Sequence, residues 1–379
     1  MEFLFDPGNT INALTLGSLY AMIAVGYTMV YGIIKLINFA HGEVFMFGAY
    51  IGLMIIVAVG SSTSGAVLWL LPVAILLAML ACAMMGTILD WAAYLPLRQN
   101  HLLPDVLSVL GLVGSAVFAI LYFTRSNGGT DPAPVILIAL ATTVFLLFVA
   151  STATLMGGFG PPARTFESSR LSALITAIGM SLSLQTIAQL IWTANPQAIP
   201  DRSLPAFFNE TVISITPDAG VQGKQLVIWI TAAVLTSILT YLVSATKIGK
   251  AMRACAIDKQ TASLMGVNVN HVIAFTFVVG SAMAAVAGIL QTVKVGGNLT
   301  PRFGYYPGVI AFAAAVLGGI GNIRGAMLGG LLLGFTQSFA EGAGGKGSEY
   351  SFAFAFGLMV IVIIFRPWGL LGRATAKRA

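Results

Sequence analysis

KIGKAMRACAIDKQTASLMGVNVN, residues 247–270, is a polar run in a chain that is otherwise almost continuously apolar. Lys247, Lys250, Arg253 and Lys259 stand there against a single acid, Asp258. Such an excess of cations marks the cytoplasmic side of a membrane protein. From Met252 to Met265 the residues are good helix formers with no Pro or Gly, which predicts one or two turns of helix. Gly266 ends it, because glycine accepts the left-handed conformation at a helix C-terminus. Ala256, Lys259, Gln260, Ser263 and Leu264 recur at three- and four-residue spacings, so this helix has a mixed small and polar face. Two readings stay open on the residues alone: a solvated loop whose cations only set topology, or a face that docks into the groove of a soluble partner.

Composition decides what surrounds this run. With 58% hydrophobic and only 8% charged residues, the chain lies outside the range of soluble globular domains. Its apolar runs are about 20 residues long and unbroken, the length of a membrane-spanning helix and not of an alternating barrel strand. The expected fold is therefore an all-α polytopic membrane protein of about ten transmembrane or partly spanning helices. The net charge of +6 comes from cations at helix ends, so it speaks for topology and not for nucleic acid. About thirteen Lys and Arg fall on the side of the opening run and about six on the other, which predicts an external N-terminus and a cytoplasmic C-terminus. Two cysteines, Cys82 and Cys255, suffice for neither a disulfide framework nor a metal site. No basic leader precedes the first apolar run, which is expected to be retained as the first span.

Taken in order, spans are predicted at residues 11–34, 44–59, 67–89, 171–192, 226–245, 271–293 and 352–365. Asn38, His41 and Glu43 sit between the first two, close to or within the membrane. Intramembrane ionisable groups are expensive and mark either a helix-capping role or a pathway. Capping by Asn38 or His41 is the plainer reading; a place on the translocation path is the functional one. Residues 195–225 hold five prolines among polar residues, as an ordered surface loop with a little strand would. Farther on, Gly321, Gly325 and Gly329 are four apart, and Gly330 and Gly334 repeat the spacing. A helix through them presents a ridge almost free of side chains for close packing. The break GGIGNIRG divides two runs that look short for full spans, the pattern of discontinuous helices.

Several stretches resemble the permease subunits of branched-chain amino-acid ABC importers, the LivH-like family. They are GSLYAMIAVGYTMVYGIIKLINFAHGEVFMFGAY near the N-terminus, RACAIDKQTASLMGVNVNHVIAFTFVVGSAMAAVAGIL, AVLGGIGNIRGAMLGGLLLG, and RPWGLLGR near the C-terminus, where Trp368 replaces a residue that is commonly smaller. The likeness covers nearly the whole chain except residues 99–168. There YLPLR is separated from SSRLSALITAIGMSLSLQ by an insertion with two more apolar runs. Two extra spans return the chain to the same side, so the topology resumes undisturbed.

The resemblance implies a single permease domain over residues 1–379, in which residues 246–270 form a cytoplasmic ATPase-coupling loop. It assigns the partner contact to Arg253, Ala256, Asp258, Lys259, Ala262, Leu264 and Gly266. It further implies two ATP-binding subunits, a second homologous permease subunit and an extracytoplasmic substrate-binding protein, in a bacterial inner membrane. ATP and Mg²⁺ would be used by the partners, with no cofactor bound by this chain and no nucleic acid.

The residues agree with that division of labour. GAGGKG, residues 342–347, is not a phosphate loop, since Lys346 is followed by Gly347 and not by Ser or Thr. No catalytic constellation stands out, so no enzymatic activity is expected. The apolar runs lack the series of buried acids and histidines that an ion-driven carrier needs. Energy is therefore expected from a partner. Related permeases for urea or short amides share the motifs, and a self-contained channel or secondary carrier is the alternative from another class.

Overall fold

The computed structural model describes residues 6–36, 38–60, 70–94, 170–192, 206–216, 219–296, 299–342 and 350–372. The expected insertion at 99–168 lies outside the described residues. These residues form eleven α-helices and one small hairpin. Six of the helices are long and apolar enough to cross a membrane.

Helix α1 (Pro7–Ile34) begins four residues before its apolar run, because Asp6 accepts a hydrogen bond from the Gly8 amide and Pro7 occupies the first turn. It is about 42 Å long at 1.5 Å per residue and ends at Lys35, which takes the left-handed conformation (φ 63°). The chain then climbs back alongside α1 before α2 (His41–Gly60) starts. His41 lies against Gly26, whose Cβ, were there one, would overlap the imidazole. Helix α2 therefore starts two turns, ~12 Å, inside the end of α1.

Helix α3 (Leu70–Leu89) runs into a π-helical turn, Asp90–Tyr94, and the next described helix is α4 (Arg170–Trp192). A 3₁₀ turn (Ala206–Phe208) leads into β1 (Thr211–Ser214) and β2 (Gly220–Gln222), the predicted strand, paired antiparallel as Thr211 with Gln222 and Ser214 with Gly220. Gln222 and Gln225 close a capping box on α5 (Gly223–Ala245).

The polar run that opened the sequence folds as two helices, not one. These are α6 (Lys247–Ile257) and α7 (Lys259–Leu264), broken at Asp258. The break has a local cause: Asp258 leaves helical geometry (φ −152°, ψ 116°) and its carboxylate accepts from the Gln260 and Thr261 amides, starting a new helix. Gly266 then adopts φ 82°, and Asn268 caps α8 (Val269–Val295) by accepting from the His271 amide.

Helix α9 (Tyr305–Gly318) is short, ~21 Å by the same rise, and turns back through residues 319–322 into α10 (Ile323–Gly342). Only α9 is short. At 20 residues α10 is of spanning length, so the expectation of two short runs is corrected: the helix starts at Ile323, inside the break, and continues past its glycines. Helix α11 (Ser351–Phe365) packs on α9 and α10.

Helix α1 is the centre of the bundle, packed by α10, α8, α9 and α5, while α8 also packs against α2 and α3. The glycine ridge of α10 splits between two neighbours. Gly325 and Gly329 face the α9 backbone at Gly318 and Ala314, whereas Gly330 and Gly334 face α1 at Ala21 and Gly17. Gly321 is not on that helix: it lies in the turn at φ 94°, which only glycine adopts freely, and packs near Gly32 at the end of α1. The last carbonyls of α9 are satisfied from the C-terminal motif, since Leu370 and Leu371 donate their amides to Leu317 (2.9 Å) and Gly318 (3.0 Å).

The ends of the bundle differ. The end of α1, α6 and α7, the 319–322 turn and the C-terminal segment meet at one of them, which carries Lys35, Lys259, Arg324 and Arg366. The start of α1 meets the end of α10 at the other, where Asn12 donates to Ser338 (3.1 Å) and Ser338 donates to the Asn9 carbonyl (3.0 Å).

Candidate functional site

At the basic end, α6 and α7 combine an anchored side with an exposed tip. Met252, Cys255 and Ala262 are buried, and burial raises the Cys255 thiol above its ordinary range. Arg253 folds back to donate to the carbonyls of Val243 and Ser244, the last turn of α5. Lys259 donates to the Ile34 carbonyl (3.2 Å), the final residue of α1. A cation suits that position, because the last carbonyls of a helix carry its negative pole.

On the same segment Ile257 (89%), Leu264 (87%) and Met265 (79%) are among the most exposed large hydrophobic side chains described. Of the seven residues singled out in the sequence, then, Leu264 lies at the exposed tip with Gly266 shaping the turn behind it. Asp258 caps α7, Ala262 is buried, and Arg253 and Lys259 reach into the chain's own helices. Ala256 is partly buried against the core. The sequence reading did not single out Ile257 and Met265, although Ile257 and Leu264, seven residues apart, would share a face even on one continuous helix.

The polar residues before α2 form a second cluster inside the bundle. Asn38, His41 and Glu43 are all buried, at 4%, 1% and 1% exposure. Asn38 turns its carboxamide oxygen to the Tyr94 hydroxyl (3.1 Å) in the π turn, and its backbone carbonyl accepts from the His41 amide. His41 meets the ring of Tyr27 edge-on at 4.5 Å, and its Nε2 has no hydrogen-bond partner among the described residues. Glu43 faces α4. Its Oε1 accepts from Ser181 (3.0 Å) and Gln185 (2.8 Å), one turn apart on that helix, while its Oε2 has no partner among the described residues.

His41 and Glu43, two residues apart on a helix, thus point to different neighbours, α1 and α4. Ser181, Gln185 and Tyr94 were the members the sequence did not reveal. Ser181 and Gln185 are an i, i+4 pair, but Thr176, Ser183, Thr186 and Gln189 of the same span are polar too, so the pair does not stand out in the sequence. A narrow cleft with room for about one water molecule lies beside the cluster toward the basic end. It is lined by Tyr27, Tyr31, Asn38, Phe312, Ala315 and Ile320.

Comparison with known proteins follows this geometry closely in extent. The family model described as branched-chain amino acid transport system / permease component matches residues 9–363. The chain is 36% identical over 383 residues to the high-affinity branched-chain amino acid transport system permease protein LivH of Salmonella typhimurium, covering 100% of this chain and 99% of that one. It is 36% identical over 375 residues to the corresponding permease BraD of Pseudomonas aeruginosa, covering 97% and 96%. A shorter likeness, 31% over 124 residues, links it to the ribose import permease RbsC of Haemophilus influenzae, covering 31% of this chain and 38% of that one. No solved structure matches it. Buried glycine packing, apolar spanning helices and similarity over the full length agree: the chain belongs to the branched-chain amino acid transport permeases, membrane subunits of ABC transporters.

Proposed function

We propose that this chain is the transmembrane subunit of an ATP-driven importer for branched-chain or other small amino acids, working with two ATPase subunits. A second permease subunit completes the pathway, and an extracytoplasmic binding protein delivers the substrate. ATP and Mg²⁺ are used by the ATPases. The basic end faces the cytoplasm of a bacterial inner membrane, as the placement of the cations favours, so the N-terminus is external and the C-terminus cytoplasmic. The two apolar runs within residues 99–168 are an extra pair of spans that leaves this orientation unchanged.

The observation that carries the reading is the exposure of three large apolar side chains, Ile257, Leu264 and Met265, on an anchored polar loop. Apolar groups clustered on a protein surface mark a site that another protein covers. On the cytoplasmic side of a permease the fitting cover is a groove of the ATPase. Asn38, His41 and Glu43 are the candidates for the translocation path in the same reading.

The test is reconstitution. The chain, its cognate ATPases, second permease and binding protein are placed in proteoliposomes and ATP-dependent L-leucine uptake is measured. Uptake that needs all partners is expected. Leucine flux through this chain alone, driven by an ion gradient, would falsify the proposal in favour of a secondary carrier. ATP-driven uptake of urea or a short amide with none of leucine would move the substrate class.

A further inference from the structure

We propose that Lys259 is a positioning residue, the strut by which movement of α7 is passed to α1 and to the α1–α2 turn. The inference rests on the transporter reading above and adds the route by which a push on the loop enters the membrane.

Three observations carry it. The Lys259 ammonium reaches the Ile34 carbonyl at 3.2 Å, joining two segments 225 residues apart in sequence. Lys259 is the first residue of α7, directly after the Asp258 cap, and the exposed Leu264 and Met265 end the same short helix. A load applied at the tip therefore arrives at Lys259 through one rigid turn of backbone. On the other side of the contact, α1 is the most enclosed helix of the bundle, with 94% of its most apolar stretch buried. A packed helix moves as a unit, because close-packed interiors transmit displacement and do not absorb it.

The narrow cleft sits where that displacement is delivered. Tyr27 and Tyr31 belong to the last two turns of α1, and Asn38 to the turn that follows. Phe312, Ala315 and Ile320 form the opposite wall on α9 and the turn after it. Shifting the end of α1 relative to α9 changes the width of this cleft, since the two helices form its opposite walls. In the structure it is closed down to about one water molecule.

The experiment uses the complete transporter in nanodiscs with Tyr31→Cys as a reporter. Both native cysteines are buried, so the background of thiol labelling is low. The labelling rate at position 31 is compared with and without Mg-ATP and vanadate, together with leucine uptake per ATP hydrolysed in proteoliposomes. With Lys259 intact, trapping the ATPases should change the labelling rate at least fivefold. Lys259→Met should flatten that change and lower uptake per ATP at least tenfold while the complex still assembles and hydrolyses ATP. Lys259→Arg, which keeps a donor and a charge, should restore most of both.

If Lys259→Met retains the nucleotide-dependent labelling and the uptake ratio, the strut does not exist. If Lys259→Met no longer binds the ATPases while Lys259→Arg does, the contact serves assembly and the proposal is overturned. If the unsubstituted complex takes up no leucine yet shows a labelling change that Lys259→Met removes, the substrate reading fails and the strut stands.

Discussion

Helices α1 and α5 are both long enough to span a membrane, yet they live in different solvents. In α1 94% of the most apolar stretch is buried inside the protein, whereas in α5 the figure is 22%, although α5 is the more apolar of the two. In a soluble protein that order would be inverted, because water drives the most apolar segment inward. Lipid chains are as apolar as Leu, so no such force sorts helices within a bilayer. What sorts them here is fit. Gly17, Ala21 and Gly26 let α1 lie backbone to backbone against α10 and against the His41 ring. Ile230, Val234, Ile238 and Tyr241 of α5 project outward, at 50–68% exposure, and suit lipid.

The largest expected effect comes from spoiling that fit. Gly334→Leu would drive a side chain into the α1 backbone at Gly17, and should cost roughly 3 kcal/mol or more, the upper range for overpacking a filled site. Ile238→Ala on the exposed face of α5 should stay within about 0.5 kcal/mol. Thermal unfolding of the two purified variants in one detergent measures the difference. Equal losses would show that α1 is not held by close backbone contact.

Next in size is the polar contact between α2 and α4, which also meet where Trp192 stacks on Tyr50 at 4.5 Å. Glu43→Ala leaves the Ser181 and Gln185 donors without their acceptor inside the bundle. It should cost about 1–3 kcal/mol, the penalty for stranded buried polar groups. Glu43→Gln keeps an acceptor of the same shape and should cost less. A thermal-shift series of both, with Ser181→Ala, tests whether α4 is attached through this carboxyl group.

Exposure at α7 has a different meaning from exposure on α5, because α7 lies beyond the spans. Leu264→Asp should leave thermal stability within about 0.5 kcal/mol, as for other exposed positions. It should nevertheless reduce ATP-driven uptake in the assembled transporter about tenfold, which corresponds to about 1.4 kcal/mol. Undiminished uptake would show that the tip meets nothing. The smallest effect is expected at the far end of the bundle. There Tyr20 donates to Gln337 at 2.7 Å and Gln337 donates to Glu341 at 2.9 Å. Tyr20→Phe removes one hydrogen bond between α1 and α10 and should cost about 0.6 kcal/mol, typical of interhelical bonds in membranes, read by the same unfolding assay.

Much of this was legible in the sequence, and for identifiable reasons. Spans announce themselves by length and apolarity. The segment 247–270 announces itself because a charged run stands out in an apolar chain, and the glycines of α10 because they recur at four-residue spacing. The finer assignments were not legible. Asp258 favours a helix interior less than a cap, but only its bonds to the Gln260 and Thr261 amides show that the helix restarts there. Gly321 shares the four-residue spacing of Gly325 and Gly329, yet its positive φ removes it from the helix. Ser181 and Gln185 look like scattered polar residues until α4 is laid beside α2.

The sequence by itself therefore determined that this is a membrane-embedded helical bundle of the permease kind, with one polar, cation-rich segment unlike the rest. Those properties depend on composition and short-range pattern, which the chain carries wherever it folds. Tertiary structure alone decided which spanning helix is central, which atoms of Glu43 are engaged, and where Lys259 points. Each of these depends on contacts between residues far apart in sequence, and in a bilayer no difference in hydropathy foretells them.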